Sequence, residues 1–336
     1  MIKNKKNLKI CIVKLSAMGD IIHAMVALQF IKQHYPQSTI DWIVEEGFKG
    51  VLENNPDINN ILPINLKSIK KNKLELFKQI KILRQYSKNN YDVIIDAQGL
   101  LKSAIAAKIV SGLEKKSIVI GFDKYSTREG ISSFFYDEKI SIPYEENVIN
   151  RNIAILCNSL DINVSKEEII NKNKFLYSSK KEDQNYNIIF VVGASKENKI
   201  YPKENFLELS YLLEKEILVV WGNDEEYSIA KWLSQNNKKI HLAPKGSLNE
   251  LIGIISNAKM VIGADTGPTH IAWALNIPSI TIFGNTPEYR NTYITEINKV
   301  IKSDSYVNPL KLDKKDFSIQ DIKAETISEI AKELLI

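Results

Sequence analysis

The side chains best suited to chemistry fall in turns that follow apolar runs. In Lys14-Leu15-Ser16-Ala17-Met18-Gly19-Asp20-Ile21-Ile22-His23, one acid sits between an apolar run ending at Val13 and a helical run beginning near Ile21. Strand-to-helix turns of a parallel sheet lie at the carboxyl ends of the strands, where ligands bind, so Asp20 is placed to act as a base. The same residue also suits a first-turn acid that caps a helix or interacts with its dipole, and the spacing leaves both readings open. A second turn, Gly263-Ala264-Asp265-Thr266-Gly267-Pro268-Thr269-His270, follows the apolar Met260 to Ile262 and opens another helical run. First-turn N–H groups are unpaired and the helix dipole is positive there, so a phosphate or pyrophosphate can be held without a metal. Its plainer reading is a capped loop with Asp265 or Thr266 as N-cap.

Two further turns belong beside the second. Gly193-Ala194-Ser195-Lys196-Glu197-Asn198-Lys199 offers a hydroxyl and a lysine, and Lys199 suits either a pyrophosphate or an exposed surface. Trp221-Gly222-Asn223-Asp224-Glu225-Glu226 offers acids that could accept from ribose hydroxyls or start the next helix. The sequence has no G-x-G-x-x-G after a strand, no Walker loop and no Asp-x-Asp pair for a divalent cation, which weakens dinucleotide-oxidoreductase and ATPase readings. No metal or cofactor is expected. The histidines, His23, His34, His241 and His270, are too scattered to suggest a metal site, and Cys11 and Cys157 read as buried thiols.

The elements that must position these turns alternate as β and α. Strands are predicted at Leu8 to Val13, Thr39 to Val44, Val93 to Ile95 and Ile118 to Ile120, with helices at Ile21 to Tyr35, Leu74 to Tyr86, Ser103 to Val110 and Val148 to Leu160. Leu76, Phe77, Ile80 and Leu83 give the Leu74 to Tyr86 helix its apolar spacing. After a polar stretch, most linker-like from Ser178 to Asn185, a second series follows. Its strands are predicted at Ile188 to Val192, Leu218 to Trp221, Met260 to Ile262 and Ile280 to Phe283, and an amphipathic tail helix at Ile319 to Leu335. A chain of 336 residues suits two domains at about 150 residues each. The net charge of +5 favours an anionic partner only where it clusters, as it does at Lys67, Lys70, Lys71 and Lys73; no nucleic-acid partner is expected. No apolar stretch approaches the ~20 residues that cross a bilayer and no cleavable leader is evident, so the expectation is a cytoplasmic protein.

Lys14-Leu15-Ser16-Ala17-Met18-Gly19-Asp20, Trp42-Ile43-Val44-Glu45-Glu46-Gly47-Phe48, Asp96-Ala97-Gln98-Gly99-Leu100-Leu101-Lys102-Ser103 and Asp265-Thr266-Gly267 together resemble the lipopolysaccharide heptosyltransferase I family of glycosyltransferase family 9, in order and spacing from Leu8 to about Arg290. The resemblance implies an α/β GT-B fold, with two Rossmann-like, doubly wound parallel-sheet domains facing across a cleft. It places an acceptor domain at 1–165, an ADP-sugar domain at 185–312 and a C-terminal helix at 317–336 packing back on the N-terminal domain. It implies inverting transfer of L-glycero-D-manno-heptose from ADP-heptose to the Kdo of Kdo2-lipid A, peripheral to the cytoplasmic face of the inner membrane, with Asp20 as general base and no metal. Donor-site positions carried over are Ala194, Ser195, Lys199, Glu226, Gly246, Asp265, Thr266, Gly267 and His270. Of these, Ser195, Lys199, Thr266 and Gly267 would face the pyrophosphate, Glu226 the ribose, and Asp265 and His270 the heptose. Lys67, Lys70, Lys71, Lys102 and Arg128 would meet the anionic acceptor. The sequence departs from the family at Ala194, where a hydroxyl residue is familiar, and at Gly246, where a larger apolar residue would cover the adenine. A heptosyltransferase with another acceptor and a non-catalytic nucleotide-sugar-binding protein are the alternatives.

Overall fold

Apolar runs that are hidden on both faces make parallel strands, and the chain builds two such sheets, one in each of two units spanning residues 1–175 and 176–336. The computed structural model describes residues 5–112, 117–179 and 186–335.

The first unit contains β1 (Lys9–Val13), α1 (Met18–Met25), α2 (Ala27–His34), β2 (Thr39–Glu45), β3 (Asn60–Ile64), α3 (Glu75–Tyr86), β4 (Val93–Asp96), α4 (Leu101–Val110), β5 (Ile118–Phe122), β6 (Glu138–Ile140), α5 (Val148–Leu156) and α6 (Lys166–Ile170). Its sheet order is β3-β2-β1-β4-β5-β6, with every neighbour parallel, the Rossmann order. The order reverses between β1 and β4, so the turns carrying Asp20 and Gln98 leave the sheet side by side.

The second unit contains β7 (Tyr186–Val191), α7 (Lys203–Leu213), β8 (Ile217–Val220), α8 (Asp224–Asn236), β9 (Ile240–Leu242), α9 (Leu248–Ser256), β10 (Ala258–Ala264), α10 (Gly267–Leu275), β11 (Ser279–Phe283), α11 (Glu288–Asn291), β12 (Asn298–Lys302) and α12 (Ala324–Leu334). Its order, β12-β11-β10-β7-β8-β9, repeats the first and reverses between β7 and β10.

Several expectations are corrected. The single helix expected from Ile21 to Tyr35 is α1 and α2, joined at Val26, whose N–H bonds the Ala24 carbonyl instead of one a full turn back. Short edge strands β6, β9 and β12 were not predicted; each has only three to five residues. The apolar spacing of α3 is buried only in part, where Leu83 joins the core with Ile82 and Tyr86 half-buried beside it. Of its residues only Gln79 and Leu83 are buried, because Gln79 turns inward to accept the Asn65 N–H at 2.8 Å, while Leu76 and Phe77 remain exposed. The tail helix begins at Ala324, after a short 3-10 turn at Ser318–Asp321. Its buried Ile327 and Ala331 join the core of the second unit with Phe206, Leu209 and Ile282, and the helix lies on α7. The division between units falls at Phe175 and Leu176, between the expected domains at 1–165 and 185–312, and Tyr177, Ser178 and Ser179 at the start of the expected linker bond Asn249 on α9. Residues 180–185 of that linker lie outside the described residues. Both cysteines are buried and unbridged. Among the described residues, no helix is long and apolar enough to cross a membrane.

Candidate functional site

In the first unit the Asp20 turn is held from behind. Gln98, leaving β4, accepts the N–H groups of Leu15 and Ser16 at 2.9 and 3.0 Å. Lys14 is buried and donates to the Ala97 carbonyl at 2.8 Å, and Trp42 donates to the Lys14 carbonyl at 3.1 Å. The Gln98 turn is itself fixed by Asp96, which accepts the N–H groups of Gln98 and Gly99 and the Tyr136 hydroxyl. Burial raises the Asp96 carboxyl above its usual range, against those hydrogen bonds. Gly99 has φ +68, and an added Cβ would press on Thr127 and Phe122, so glycine is required there twice over. Asp20 is exposed and accepts the Ala17 N–H at 3.1 Å, the acidic half of a capping box. The capping role of Asp20 is thus made by one carboxylate oxygen, and the side chain still reaches solvent.

Glu45 ends β2 beside this turn. It is buried, donates its own N–H to the Leu15 carbonyl at 3.2 Å and accepts from the backbone of Leu66 and Lys67. Burial raises its carboxyl above the usual range, opposed by the charges of Lys102 and Lys67. Two of the predicted acceptor residues, Lys67 and Lys102, thus act on Glu45 through their charge. Lys67 also lies over the Phe48 ring, 5.0 Å from its centroid. Lys70 and Lys71 follow on the exposed turn before α3, and Arg128 is exposed on the loop after β5.

In the second unit the turns after β7 and β10 meet in a buried polar knot. Asp265 accepts from Lys199 Nζ at 2.9 Å, Thr286 Oγ1 at 3.0 Å and Asn291 Nδ2 at 3.0 Å, and pairs with His270 Nε2 at 3.1 Å. Its burial would raise the carboxyl, but the Lys199 charge and the His270 bond outweigh this and hold it far below the usual carboxylate range. Lys199 also donates to the Asp265 backbone carbonyl at 2.6 Å, leaving one of its three N–H donors for a ligand. Thr266 is the N-cap of α10 with no side-chain cap bond, and Gly267 and Pro268 open the helix. The buried acid thus does not cap the helix itself; it fixes a lysine beside the helix N-terminus.

The remaining donor-site positions ring the same sheet end. A Cβ on Gly193 would overlap the Glu226 carboxylate, so the β7 turn runs directly against the β8 turn. Glu226 accepts from Gly222 N–H at 2.6 Å and Asn223 Nδ2 at 2.9 Å, closing the start of α8. Ala194 packs partly buried on the core, Ser195 is exposed, and Gly246 is exposed just before the Ser247 cap of α9. Trp221, just after β8, donates to the Ala243 carbonyl at 2.8 Å, lies tilted against Tyr227 with ring centroids 4.7 Å apart and has Lys245 over its ring. The residues that sequence reasoning did not single out are Gln98, Glu45, Thr286 and Asn291. Gln98 and Glu45 lie inside the motifs above, whereas nothing local marks Thr286, on the turn after β11, or Asn291, at the end of α11, which reach Asp265 from the neighbouring strand's carboxyl end.

Residues 79–318 match the model of glycosyltransferase family 9 (heptosyltransferase). The chain is 41% identical to lipopolysaccharide heptosyltransferase 1 of Campylobacter coli over 97% of this chain and 99% of that protein. It is 29% identical to lipopolysaccharide heptosyltransferase 1 of Salmonella typhimurium over 83% of this chain and 89% of that one. The structure matches E. coli heptosyltransferase WaaC, solved with ADP, at a TM-score of 0.81 and 25% identity, covering 97% of this chain and 100% of that one.

Proposed function

Since the chain belongs to glycosyltransferase family 9 and is a heptosyltransferase of lipopolysaccharide core assembly, we propose that it transfers L-glycero-D-manno-heptose from ADP-heptose to the Kdo of Kdo2-lipid A with inversion. The observation that carries the donor half is the knot at the β7 and β10 turns. Lys199, locked by buried Asp265, stands beside an α10 N-terminus that no side chain caps, which suits a diphosphate leaving group. Ser195, Thr266 and Gly267 complete the pyrophosphate side, Glu226 takes the ribose, Ala194 and Gly246 contribute backbone, and His270 borders the heptose.

Asp20 takes the proton of the Kdo hydroxyl as that oxygen forms its bond to the anomeric carbon. The bond from that carbon to the ADP oxygen breaks, and ADP leaves with the electron pair. No metal enters this scheme, because a helix dipole and a lysine neutralise the diphosphate. Lys67 and Lys102, whose charges act on Glu45, with Lys70, Lys71 and Arg128, receive an acceptor rich in carboxylate and phosphate. The reaction then takes place at the cytoplasmic face of the inner membrane, where such an acceptor is held.

The test is transfer from ADP-heptose by the purified chain, with and without a chelator, to Kdo2-lipid A and to heptosyl-Kdo2-lipid A. Heptose is expected on the first acceptor at an unchanged rate in the chelator. Transfer to the second acceptor alone would replace this reading by that of a heptosyltransferase acting one sugar later.

A further inference from the structure

Adjoining elements of the first unit expose several large apolar side chains. Leu74 is 71% exposed and Phe77 70%, at the start of α3, and Leu76 is exposed beside them. Helix α3 packs on α4, which exposes Ile105, and α4 packs on the 3-10 turn at Gly130–Phe135, where Ile131 is exposed and Phe134 is 83% exposed. Tyr125, on the loop leading into that turn, is 77% exposed. Single exposed apolar residues are ordinary on a protein surface; a contiguous set on adjoining elements marks an interaction face.

The charge around the start of α3 is mainly positive, whereas the 125–135 segment carries both Arg128 and Glu129. Between residues 67 and 81 stand six lysines, Lys67, Lys70, Lys71, Lys73, Lys78 and Lys81, against one acid, Glu75. Lys124 lies 4.5 Å from the centroid of the Tyr125 ring. The turns bearing Leu74 and Tyr125 follow β3 and β5, so they leave the same carboxyl end of the sheet as the Asp20 turn after β1. Lysines that flank protruding Leu and Phe side chains fit a negatively charged lipid surface, with the apolar tips entering the acyl boundary and the ammonium groups meeting headgroup phosphates. We infer that the face formed by the start of α3, the exposed side of α4 and the 125–135 segment docks the protein on an anionic phospholipid bilayer. This deepens the reading that the acceptor is a membrane-held glycolipid, but the docking itself needs no acceptor.

The experiment uses the full chain and vesicles of phosphatidylcholine with about one-third phosphatidylglycerol, compared with phosphatidylcholine alone. Co-sedimentation is measured for the wild type and for the triple variant Leu74→Ser, Phe77→Ser, Phe134→Ser, together with heptose transfer to a soluble, deacylated acceptor. The wild type is expected to bind the anionic vesicles at least about tenfold more tightly than neutral ones, and less tightly as salt rises. The triple variant should lose about tenfold or more of that affinity while transferring to the soluble acceptor at the wild-type rate. Failure of the wild type to bind anionic vesicles, or equal binding by the variant, overturns the docking face. Equal vesicle binding together with a change of oligomeric state in the variant also overturns it, assigning the face to contact between copies. Vesicle binding without transfer to any Kdo acceptor would instead refute the proposed acceptor and leave the docking face standing.

Discussion

Replacing Asp265 by alanine tests the central claim about the donor site. Four side chains converge on this carboxylate, and the Lys199 side chain beneath it is only 12% exposed. Removing the acid strands a mostly buried ammonium, a change that costs about 3–5 kcal/mol. The Thr286 hydroxyl and the Asn291 amide also lose their acceptor, but those losses are not additive with the first. Urea unfolding followed by tryptophan fluorescence reports mainly the second unit, because Trp221, Trp232 and Trp273 lie there and only Trp42 lies in the first. The variant is expected to unfold at lower urea by that margin and to lose most of its ADP affinity. The double variant Asp265→Leu, Lys199→Met should regain much of the stability and none of the affinity. Acid strengthens the test. The folded carboxyl is depressed, so its contribution is complete above the unfolded value of about 3.9 and declines as pH falls below it. The gap between wild type and Asp265→Ala should therefore narrow below about pH 4. A loss under about 1 kcal/mol at neutral pH, or a gap that widens in acid, would falsify the account of Asp265 as the lock on Lys199.

Two further outcomes follow from the first unit. Asp20→Asn retains an oxygen for the Ala17 N–H but cannot accept a proton, so turnover should fall ~10²-fold or more with ADP affinity unchanged, as read by initial rates and calorimetry; near-normal turnover would remove Asp20 from the chemistry. Gln98→Ala frees the Leu15 and Ser16 N–H groups that fix the Asp20 turn, so kcat should drop about tenfold while ADP binding stays intact, and a matching loss of ADP affinity would contradict a purely positioning role.

The fold was legible wherever periodicity was strong and failed where elements are short or polar. The central strands β1, β2, β7 and β10 are hydrophobic runs hidden on both faces, and such runs announce themselves. The edge strand β6 reads Glu138-Lys139-Ile140 and carries no pattern beyond its pairing with β5. Helix α3 misled for the opposite reason: its spacing is apolar, but it buries Gln79 in place of Phe77. The tail helix showed the right amphipathic pattern, yet a pattern says that a face must be covered and not by which element; α7 covers it. For the site, Asp20, Lys199, Asp265 and the α10 start were visible as strand-to-helix turns. Thr286 and Asn291 were not, because their role arises only when β10 and β11 pair and bring their ends together.

The contrast between the two acids argues for the division of labour. Asp20 and Asp265 both follow a strand at the point where a sheet reverses its order, so position alone makes either a candidate base. Their surroundings differ in the property a base needs. Asp265 is buried, held far below the usual carboxylate range by Lys199 and His270, and closed in by two further donors, so it is poorly suited to take a hydroxyl proton. Its chemistry is to keep an ammonium in place. Asp20 is exposed, has Ala17 as its hydrogen-bond donor through one oxygen, and rests on a turn clamped by Gln98, so its other oxygen can meet an incoming alcohol without the turn giving way. An acid that is free at its tip and fixed at its root fits proton abstraction, and one that is fixed throughout fits leaving-group stabilisation.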